Sequence, residues 1–457
     1  MEEVSMNKMG VMPVGKLMLN IGIPMILSMV LQAVYNIVDS AFVANMEGVG
    51  ELALNALTLA FPIQLLMVAV GIGTGVGTNA LLARRLGEGD MERVSRTAGN
   101  AVFLGIVITL LFVLFGIFGT RTYIASQTSN EMILEMGVDY LRICSVCSIG
   151  MVFYAIFEKL LQATGRSIFS TVAQVLGAVT NIVLDPILIF GLIGFPELGV
   201  KGAAYATVIG QIVSFVAAFI FHIKYNKEIK NNIKYIKPSL KTILEIYAIG
   251  LPAIIAQALT SVMTYGLNII FVSISENVVT AYGLFYKIQQ FILFAAFGLR
   301  DAITPIVAFN KGMKSKKRVK EGIKYGLTYT FIIMAAGLIV IEIFAEPFSA
   351  LFGLSGETQG FCISAMRVIS ISFIFAGANI ALQGVFQALD SGIESLVVSI
   401  CRQLIFIIPV AWFFSIVAGK DNIGLVWSTF PLGEFLTFVI ALLFMLNIKK
   451  KKIEVLN

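Results

Sequence analysis

The sequence predicts an all-α polytopic membrane protein, with twelve transmembrane helices in two six-helix lobes that are related by a parallel internal repeat. Composition is the first observation behind this prediction. Of the 457 residues, 58% are hydrophobic and 13% are charged, and the mean hydropathy is +0.90. A soluble domain has about a quarter of its residues charged, so a water-solvated surface is excluded. The distribution of positive charge and the internal repeat are the other two observations.

The spans follow from the apolar stretches, several of which exceed the roughly 20 residues that cross a bilayer. The polar N-terminus and the long apolar run after it do not fit a cleavable signal peptide, so we expect the first span to act as the targeting signal. Charged breaks divide the chain into twelve predicted spans, near 17–44, 53–83, 97–119, 133–163, 168–190, 201–223, 243–273, 278–309, 325–345, 361–389, 395–417 and 423–447.

Positive charge alternates between the two predicted sides of the membrane. If the N-terminus is inside, the cytoplasmic segments hold 24 of the 33 Lys and Arg residues, and the outer loops hold only Arg121, Lys201 and Lys420. The positive-inside rule then predicts a multi-pass protein of the inner (plasma) membrane with both termini in the cytoplasm. These short basic loops suit anionic lipid headgroups rather than nucleic acid.

The two halves of the chain align after a shift of 225 residues. Matching pairs include Gln64 with Gln289, Gly73 with Gly298, and Arg142 with Arg367. Each half has an even number of spans, so both halves insert in the same orientation, and the repeat is parallel. The predicted domains are an N-terminal lobe (1–225), a cytoplasmic linker (226–241) and a C-terminal lobe (242–457). Two fused lobes favour a secondary transporter over a channel, and a monomer suffices.

A polar stripe runs along one face of the predicted first span. It consists of Gln32, Tyr35, Asn36 and Asp39, at helical spacing. We predict that the first three of these side chains line a substrate cavity.

The fifth span carries a second polar stripe, made of Gln174, Asn181 and Asp185. Asn181 and Asp185 are one helical turn apart, and we assign Gln174 to the substrate cavity. Helix rise places Asp39 and Asp185 at a similar depth in the outer half of the membrane. The two carboxylates are therefore expected to meet within one lobe.

Two buried carboxylates in one lobe indicate a cation-coupling site. An ionised carboxylate in hydrocarbon costs several kcal/mol, and two that share a site favour the binding of H+ or Na+ between them. Pro186 also frees the backbone carbonyl of Ile182, and Asn181 supplies a neutral oxygen. The prediction is that Asp39, Asn181 and Asp185 bind the coupling ion, as metal ligands if that ion is Na+, with no other cofactor.

The alternative is that each acid pairs with an intramembrane base and holds helices together. The first and fifth spans contain no Lys or Arg, so the candidate bases are Arg142 and Lys159 in the fourth span.

The second half lacks the corresponding acids. Leu267 occupies the position that corresponds to Asp39. Gln257, Asn379 and Gln383 either line the substrate cavity or form hydrogen bonds between helices. This half has its own charged residues within spans, whose role the sequence does not predict: Arg300, Asp301, Arg402 and Glu434. Because Arg300 and Asp301 are adjacent, a helix directs them to different faces, and no pairing is predicted.

Two further features exclude other classes of protein. The stretch "GIGTGVGTNA" at 71–80 has no preceding strand and no following Lys, so we interpret it as close helix packing through small residues. The single histidine, His222, is near a cytoplasmic end, where we expect it to be solvated or interfacial. With no metal-ligand cluster and no nucleophile–base set, the sequence does not predict an enzyme.

Several stretches of the chain resemble the multidrug and toxic compound extrusion (MATE) family: "LARRLGEGDMERV", "YLRI", "LQATGR", "NIVLDPILIFG" and "GVKGAAYATVIGQ". The resemblance implies a V-shaped antiporter that exports amphipathic, often cationic drug-like compounds in exchange for H+ or Na+. It also implies a cation site at Asp39, Asn181 and Asp185, with Thr207 in the sixth span.

The second half refines this resemblance. The NorM-like branch has acids in the seventh and tenth spans, where this chain has Gln257, Asn379 and Gln383. The sequence is therefore similar to the DinF- and MepA-like branch. The alternative is a lipid-linked saccharide flippase of the related superfamily, which is expected to bind pyrophosphate through cavity arginines, for which Arg300 and Arg402 are candidates.

Overall fold

The computed structural model describes residues 7–351 and 356–456, apart from the side chains of Asn36, Ile37, Ser40, Ala44, Glu51 and Leu351. Helices dominate this described part of the chain, which contains no β-strand. The prediction of an all-α membrane protein is confirmed.

Ten spans are long apolar helical stretches. The first eight of them are single helices, Val14–Ala44, Gly50–Glu88, Met91–Phe118, Ser167–Phe190, Val200–Tyr225, Leu240–Ile274, Glu276–Gly312 and Lys316–Leu351. The other two are composite. Gly392–Ile400, the wide π-helical turn Cys401–Ile405 and Ile407–Val417 make one of them, and Ile423–Trp427, Thr429–Ile448 and the π-helical turn Lys449–Ile453 make the other.

Two further spans are bent pairs of helices. Glu131–Val146 meets Ile149–Ala163 at 45°, and Gly356–Ser370 meets Phe373–Ala388 at 51°. Counting each bent pair as one span gives the twelve predicted spans, with the bent pairs as the fourth and tenth. Short helical segments complete the described elements, at Lys8–Val11, Thr120–Ala125, Leu192–Gly194 and Ile233–Tyr235.

Local sequence signals set the helix ends. The second span ends at Gly89, whose φ of 79° is in the left-handed region that glycine adopts without steric cost. The side chain of Asp90 then accepts a hydrogen bond from the backbone N–H of Arg93 and caps the third span. In the same way, Asn130 caps the helix that begins at Glu131.

The structure divides into two compact units. The N-terminal unit is Val30–Ile254, and the C-terminal unit consists of Met1–Met29 and Ile255–Asn457. These boundaries differ from those of the predicted lobes, because the first half of the seventh span packs within the N-terminal unit and the first half of the first span packs within the C-terminal unit. The division into lobes at 225 and 242 remains a prediction.

Close contacts at glycines explain why the first halves of the first and seventh spans pack in these units. A Cβ added at Gly73 would lie 2.8 Å from the backbone nitrogen of Ile254, and one added at Gly298 would lie 2.7 Å from the Cα of Ile26. The two glycines are repeat-equivalent, and so are the two isoleucines. As the glycine-rich stretch predicts, small residues let helix backbones approach closely.

We expect Gly77→Ala to destabilise the protein. The added Cβ would lie 2.1 Å from the backbone carbonyl oxygen of Ile246, and overpacking of this kind costs about 1–3 kcal/mol. Thermal unfolding of the detergent-solubilised chain measures the effect. Gly360→Ala is the matched control, because this helical position has no atom within 4 Å of the added Cβ. An equal effect of both substitutions would contradict the packing argument.

Candidate cation-coupling site

The fifth and sixth spans pack closely beside the predicted coupling residues. A Cβ added at Gly177 would lie 2.4 Å from the carbonyl oxygen of Gly210, and one added at Gly210 would lie 3.0 Å from the Cβ of Asn181. Thr207 precedes Gly210 by three residues, so it lies one turn away along the same helix. The glycine contact therefore places the asparagine of the fifth span next to the helix that carries Thr207.

The four predicted coupling residues share an unusual property. Each has a buried oxygen atom that accepts no hydrogen bond from any described residue, namely Asp39 Oδ1, Asn181 Oδ1, Asp185 Oδ2 and Thr207 Oγ1. Buried polar atoms in proteins are almost always hydrogen-bonded. Four such orphans on three spans of one unit make these residues candidates for binding a cation.

The geometry around Asp185 links these residues. The side chain of Asp185 is fully buried, and its Oδ1 accepts a hydrogen bond from Asn181 Nδ2 at 3.3 Å. The carboxylates of Asp39 and Asp185 are close enough to interact electrostatically. The structure thus brings together, from the first and fifth spans, the two acids that the sequence analysis paired.

Three residues around Asp39 were missed by the sequence analysis. Gln64 Nε2 donates a hydrogen bond to the Tyr140 hydroxyl at 3.2 Å and contacts Cys144 Sγ at 3.8 Å. The Tyr140 hydroxyl and the Cys144 thiol are both within electrostatic range of Asp39. The repeat match of Gln64 with Gln289 marked the glutamine, but no pattern in the sequence marked Tyr140 or Cys144 as neighbours of a carboxylate.

The candidate bases of the fourth span lie elsewhere. Arg142 is exposed, and Lys159 is buried and donates a hydrogen bond to Gln162 Oε1 at 2.9 Å. Within the described part of the chain, no Lys or Arg forms an ion pair with Asp39 or Asp185. The contacts thus give no support to the alternative in which a base neutralises each acid.

The second half contrasts with this, because two of its membrane-embedded acids, Asp301 and Glu434, are paired with arginines. Arg300 donates hydrogen bonds to Asp301 Oδ1 through two nitrogens, at 2.8 and 3.0 Å. The expectation that these neighbours do not pair was wrong, because the long arginine side chain reaches the adjacent carboxylate. Arg402 Nε donates to Glu434 Oε1 at 2.5 Å.

The remaining predicted cavity residues fall into two groups. Gln32, Tyr35, Gln174 and Gln257 are half-buried, and the Oε1 atom of Gln174 is a further orphan. The side chain of Asn36 lies outside the described residues.

The other two predicted cavity residues bond to neighbouring helices. Asn379 Nδ2 donates to Glu434 Oε2 at 2.8 Å, and Gln383 Nε2 donates to Ser399 Oγ at 3.1 Å. A cavity role remains a prediction both for these two residues and for the half-buried group.

The chemistry of the donor set suits a small hard cation. Two carboxylates, an amide and a hydroxyl supply only oxygen, which is the donor that such cations prefer. The orphan oxygens are the atoms that Na+ or a proton would engage. Among the described residues, no cluster of three or more His, Cys, Asp or Glu side chains could hold a metal ion, so any Na+ would also depend on Asn181 and Thr207.

His222 is buried, which corrects the expectation of a solvated ring. Its ring is 1% exposed and lies 3.0 Å from Asn226 Nδ2 and 2.9 Å from Asn231 Oδ1. Asparagines after the sixth span enclose the histidine, a tertiary effect that hydropathy does not reveal.

Comparison with known proteins identifies the family. The sequence model of the MatE family matches residues 24–187 and 252–413. The chain belongs to the MATE family. This is a family of transporters rather than enzymes, and its members are multi-pass membrane proteins.

Individual relatives agree with this MATE assignment. The chain is 24% identical to the multidrug export protein MepA of Staphylococcus saprophyticus, covering 90% of this chain and 89% of that protein. It is 25% identical to MepA of Staphylococcus aureus strain MRSA252, covering 91% and 90%.

Solved structures show the same fold. An outward-facing multidrug resistance MATE family transporter of the MOP superfamily matches with a TM-score of 0.89, at 24% identity and 96% coverage of both chains. A MATE protein in the straight conformation matches with a TM-score of 0.90, at 24% identity, covering 97% of this chain and 98% of that one.

Two substitutions in this MATE protein are expected to change its stability in opposite directions. Asp185→Asn removes an uncompensated buried carboxylate and should raise the free energy of unfolding by about 1–3 kcal/mol at alkaline pH. Glu434→Gln leaves Arg402 without its counter-charge and should lower the free energy of unfolding by about 3–5 kcal/mol. Thermal unfolding in detergent measures both. Destabilisation by Asp185→Asn would contradict the view that Asp185 lacks a counter-charge.

Proposed function

We propose that this chain is a secondary active exporter of amphipathic, often cationic drug-like compounds, driven by the entry of H+ or Na+ in an antiport cycle. The observation that carries the proposal is the group of orphan oxygens on Asp39, Asn181, Asp185 and Thr207 in a membrane-embedded unit. The multidrug export function of the MepA relatives supports the substrate class. The small-molecule substrate and the lipid bilayer are the partners, and a monomer is sufficient.

The proposed cycle follows from the energetics of the acids. A cation that enters from outside neutralises Asp39 and Asp185 and engages the orphan oxygens, which removes the cost of a buried charge. Such binding drives transport only if the cation binds one conformation more tightly than the other. Alternating access then couples cation entry to substrate release on the outer side, with both termini of the chain in the cytoplasm.

Asp185 is well placed to transmit cation binding to the helix. Pro186 follows it within the fifth span, and proline removes one backbone hydrogen bond and weakens the local helix. A change in the charge of Asp185 therefore acts where the fifth span bends most easily. We propose that this step links ion occupancy to helix geometry.

The flippase alternative has less support. It requires arginines that are free to hold a pyrophosphate, but Arg300 and Arg402 are each paired with a carboxylate of their own unit. A neutralised arginine is a weak site for a multiply charged anion.

The test is efflux of rhodamine 123, a fluorescent organic cation, from proteoliposomes with H+ and Na+ gradients imposed separately. We expect one gradient to drive transport. Asp39→Asn and Asp185→Asn should each reduce the gradient-driven rate at least about tenfold, because the loss of one charged ligand of the cation costs more than about 1.4 kcal/mol.

Asp421→Asn is the matched control, because the same substitution at this exposed position should leave transport unchanged. Gradient-driven transport that survives in both coupling variants would overturn the proposed site. Transport that neither gradient drives would overturn the antiport proposal.

A further inference from the structure

Two basic helix ends meet at the end of the C-terminal unit that the positive-inside rule assigns to the cytoplasm. They are the start of the ninth span, at Lys316, and the π-helical turn Lys449–Ile453 that ends the twelfth span. Glu454 joins them, because its carboxylate oxygens lie 3.0 Å from Lys316 Nζ and 2.9 Å from Lys320 Nζ. The bonds from Lys320 and Lys316 lower the pKa of Glu454 to about 2, so the carboxylate stays ionised at neutral pH.

Further contacts fix the C-terminal turn in place. Lys452 Nζ donates to the backbone carbonyls of Leu389 and Asp390, both at 2.9 Å, and to Ser391 Oγ at 2.7 Å. Ile453 is 1% exposed and packs into the unit. The turn therefore has a defined position beside the ninth span, and the two basic segments form one surface.

Lys324, Lys450 and Lys451 lie about one helical turn nearer to the membrane than this joint. Lys324 follows Lys320 by four residues, and Lys450 precedes Glu454 by four, which is about 6 Å along each helix. Because the two helices run in opposite directions, these steps lead to the same depth. All three lysines are exposed, and none of them forms an ion pair or a side-chain hydrogen bond with a described residue.

The acids nearest to these lysines in the sequence are engaged by other bases. Glu454 is paired with Lys316 and Lys320, and Glu321 is within electrostatic range of Arg318. The three exposed lysines therefore give this surface a local excess of positive charge.

The depth of the three lysines matches the phosphate layer of a bilayer. The apolar part of the ninth span begins directly after Lys324, and that of the twelfth span ends at Ile448, two residues before Lys450. The headgroup layer beyond the hydrocarbon is about 5–8 Å thick on each side. Exposed apolar side chains continue from the lysines into the membrane, namely Phe331 and Ile332 on the ninth span and Leu443 and Leu446 on the twelfth.

We propose that Lys324, Lys450 and Lys451 together bind the phosphate of one anionic phospholipid of the inner leaflet, whose acyl chains lie along the exposed apolar side chains of the ninth and twelfth spans. An ammonium group binds phosphate as a point charge, and each lysine at a bilayer surface adds to the attraction for anionic lipid. General attraction of basic loops to a membrane requires no shared site, whereas Glu454 joins two segments into one. Because no transport step is involved, this proposal stands or falls independently of the export function.

Native mass spectrometry of the detergent-solubilised full chain measures the binding, with phosphatidylglycerol and phosphatidylcholine of identical acyl chains as probes. We expect phosphatidylglycerol to bind more tightly than phosphatidylcholine. The variant Lys324→Gln with Lys450→Gln and Lys451→Gln should weaken the binding of the first phosphatidylglycerol molecule roughly tenfold to a hundredfold. Phosphatidylcholine should bind within about twofold of wild type.

The matched control is Lys230→Gln with Lys234→Gln and Lys237→Gln, which removes the same net charge from exposed lysines of the segment between the sixth and seventh spans. It should leave the affinity for phosphatidylglycerol within about twofold of wild type. Substitutions at exposed positions seldom unfold a protein, so the two triple variants can be compared directly. Equal losses in both would indicate general electrostatic attraction and overturn the site.

A double-mutant cycle tests whether the two helices hold the same headgroup. For one shared lipid, the combined loss from Lys324→Gln and Lys450→Gln should be smaller than the product of the two single losses, because residues that share a partner are not additive. Losses that simply multiply would mean that the lysines act independently, and would overturn the shared site. Equal binding of both lipids by wild type, or displacement of phosphatidylglycerol by inorganic phosphate at the same concentration, would overturn the assignment of a phospholipid.

Discussion

The cost of an ionised side chain in hydrocarbon is the constraint on which the chemistry of this protein depends. That cost is several kcal/mol for each group, and each unit meets it in a different way. The C-terminal unit pairs four of its intramembrane charges internally, Arg300 with Asp301 and Arg402 with Glu434. In the N-terminal unit, Asp185 is buried without such a base. Under the proposed function, a cation from solution neutralises it instead.

Helix packing is shared by the two repeats, but polar chemistry is not. Gly73 and Gly298 make repeat-equivalent contacts with Ile254 and Ile26, because close backbone approach needs only a missing side chain. Both repeats therefore keep such a contact if both keep the glycine. A cation site needs several oxygens at once, so one substitution removes it. Leu267, which occupies the position of Asp39 in the second repeat, leaves that repeat without the corresponding carboxylate.

The spans were predictable from sequence, since hydropathy depends on composition alone. The fifth span was predicted at 168–190 and is observed at Ser167–Phe190. The 45° bend between Val146 and Ile149 was not predicted, because the apolar composition continues across it. The pairing of the two acids was predictable from helical spacing and depth.

The contacts that were missed are long-range or depend on side-chain flexibility. Tyr140 and Gln64 are 76 residues apart and meet beside Asp39 only after folding. His222 is enclosed by Asn226 and Asn231. In a hydropathy profile these polar residues indicate a solvated segment, so the burial of the histidine was not predicted. Helical spacing fixes where a side chain starts but not where a long one ends, and for that reason Arg300 was expected to face away from Asp301.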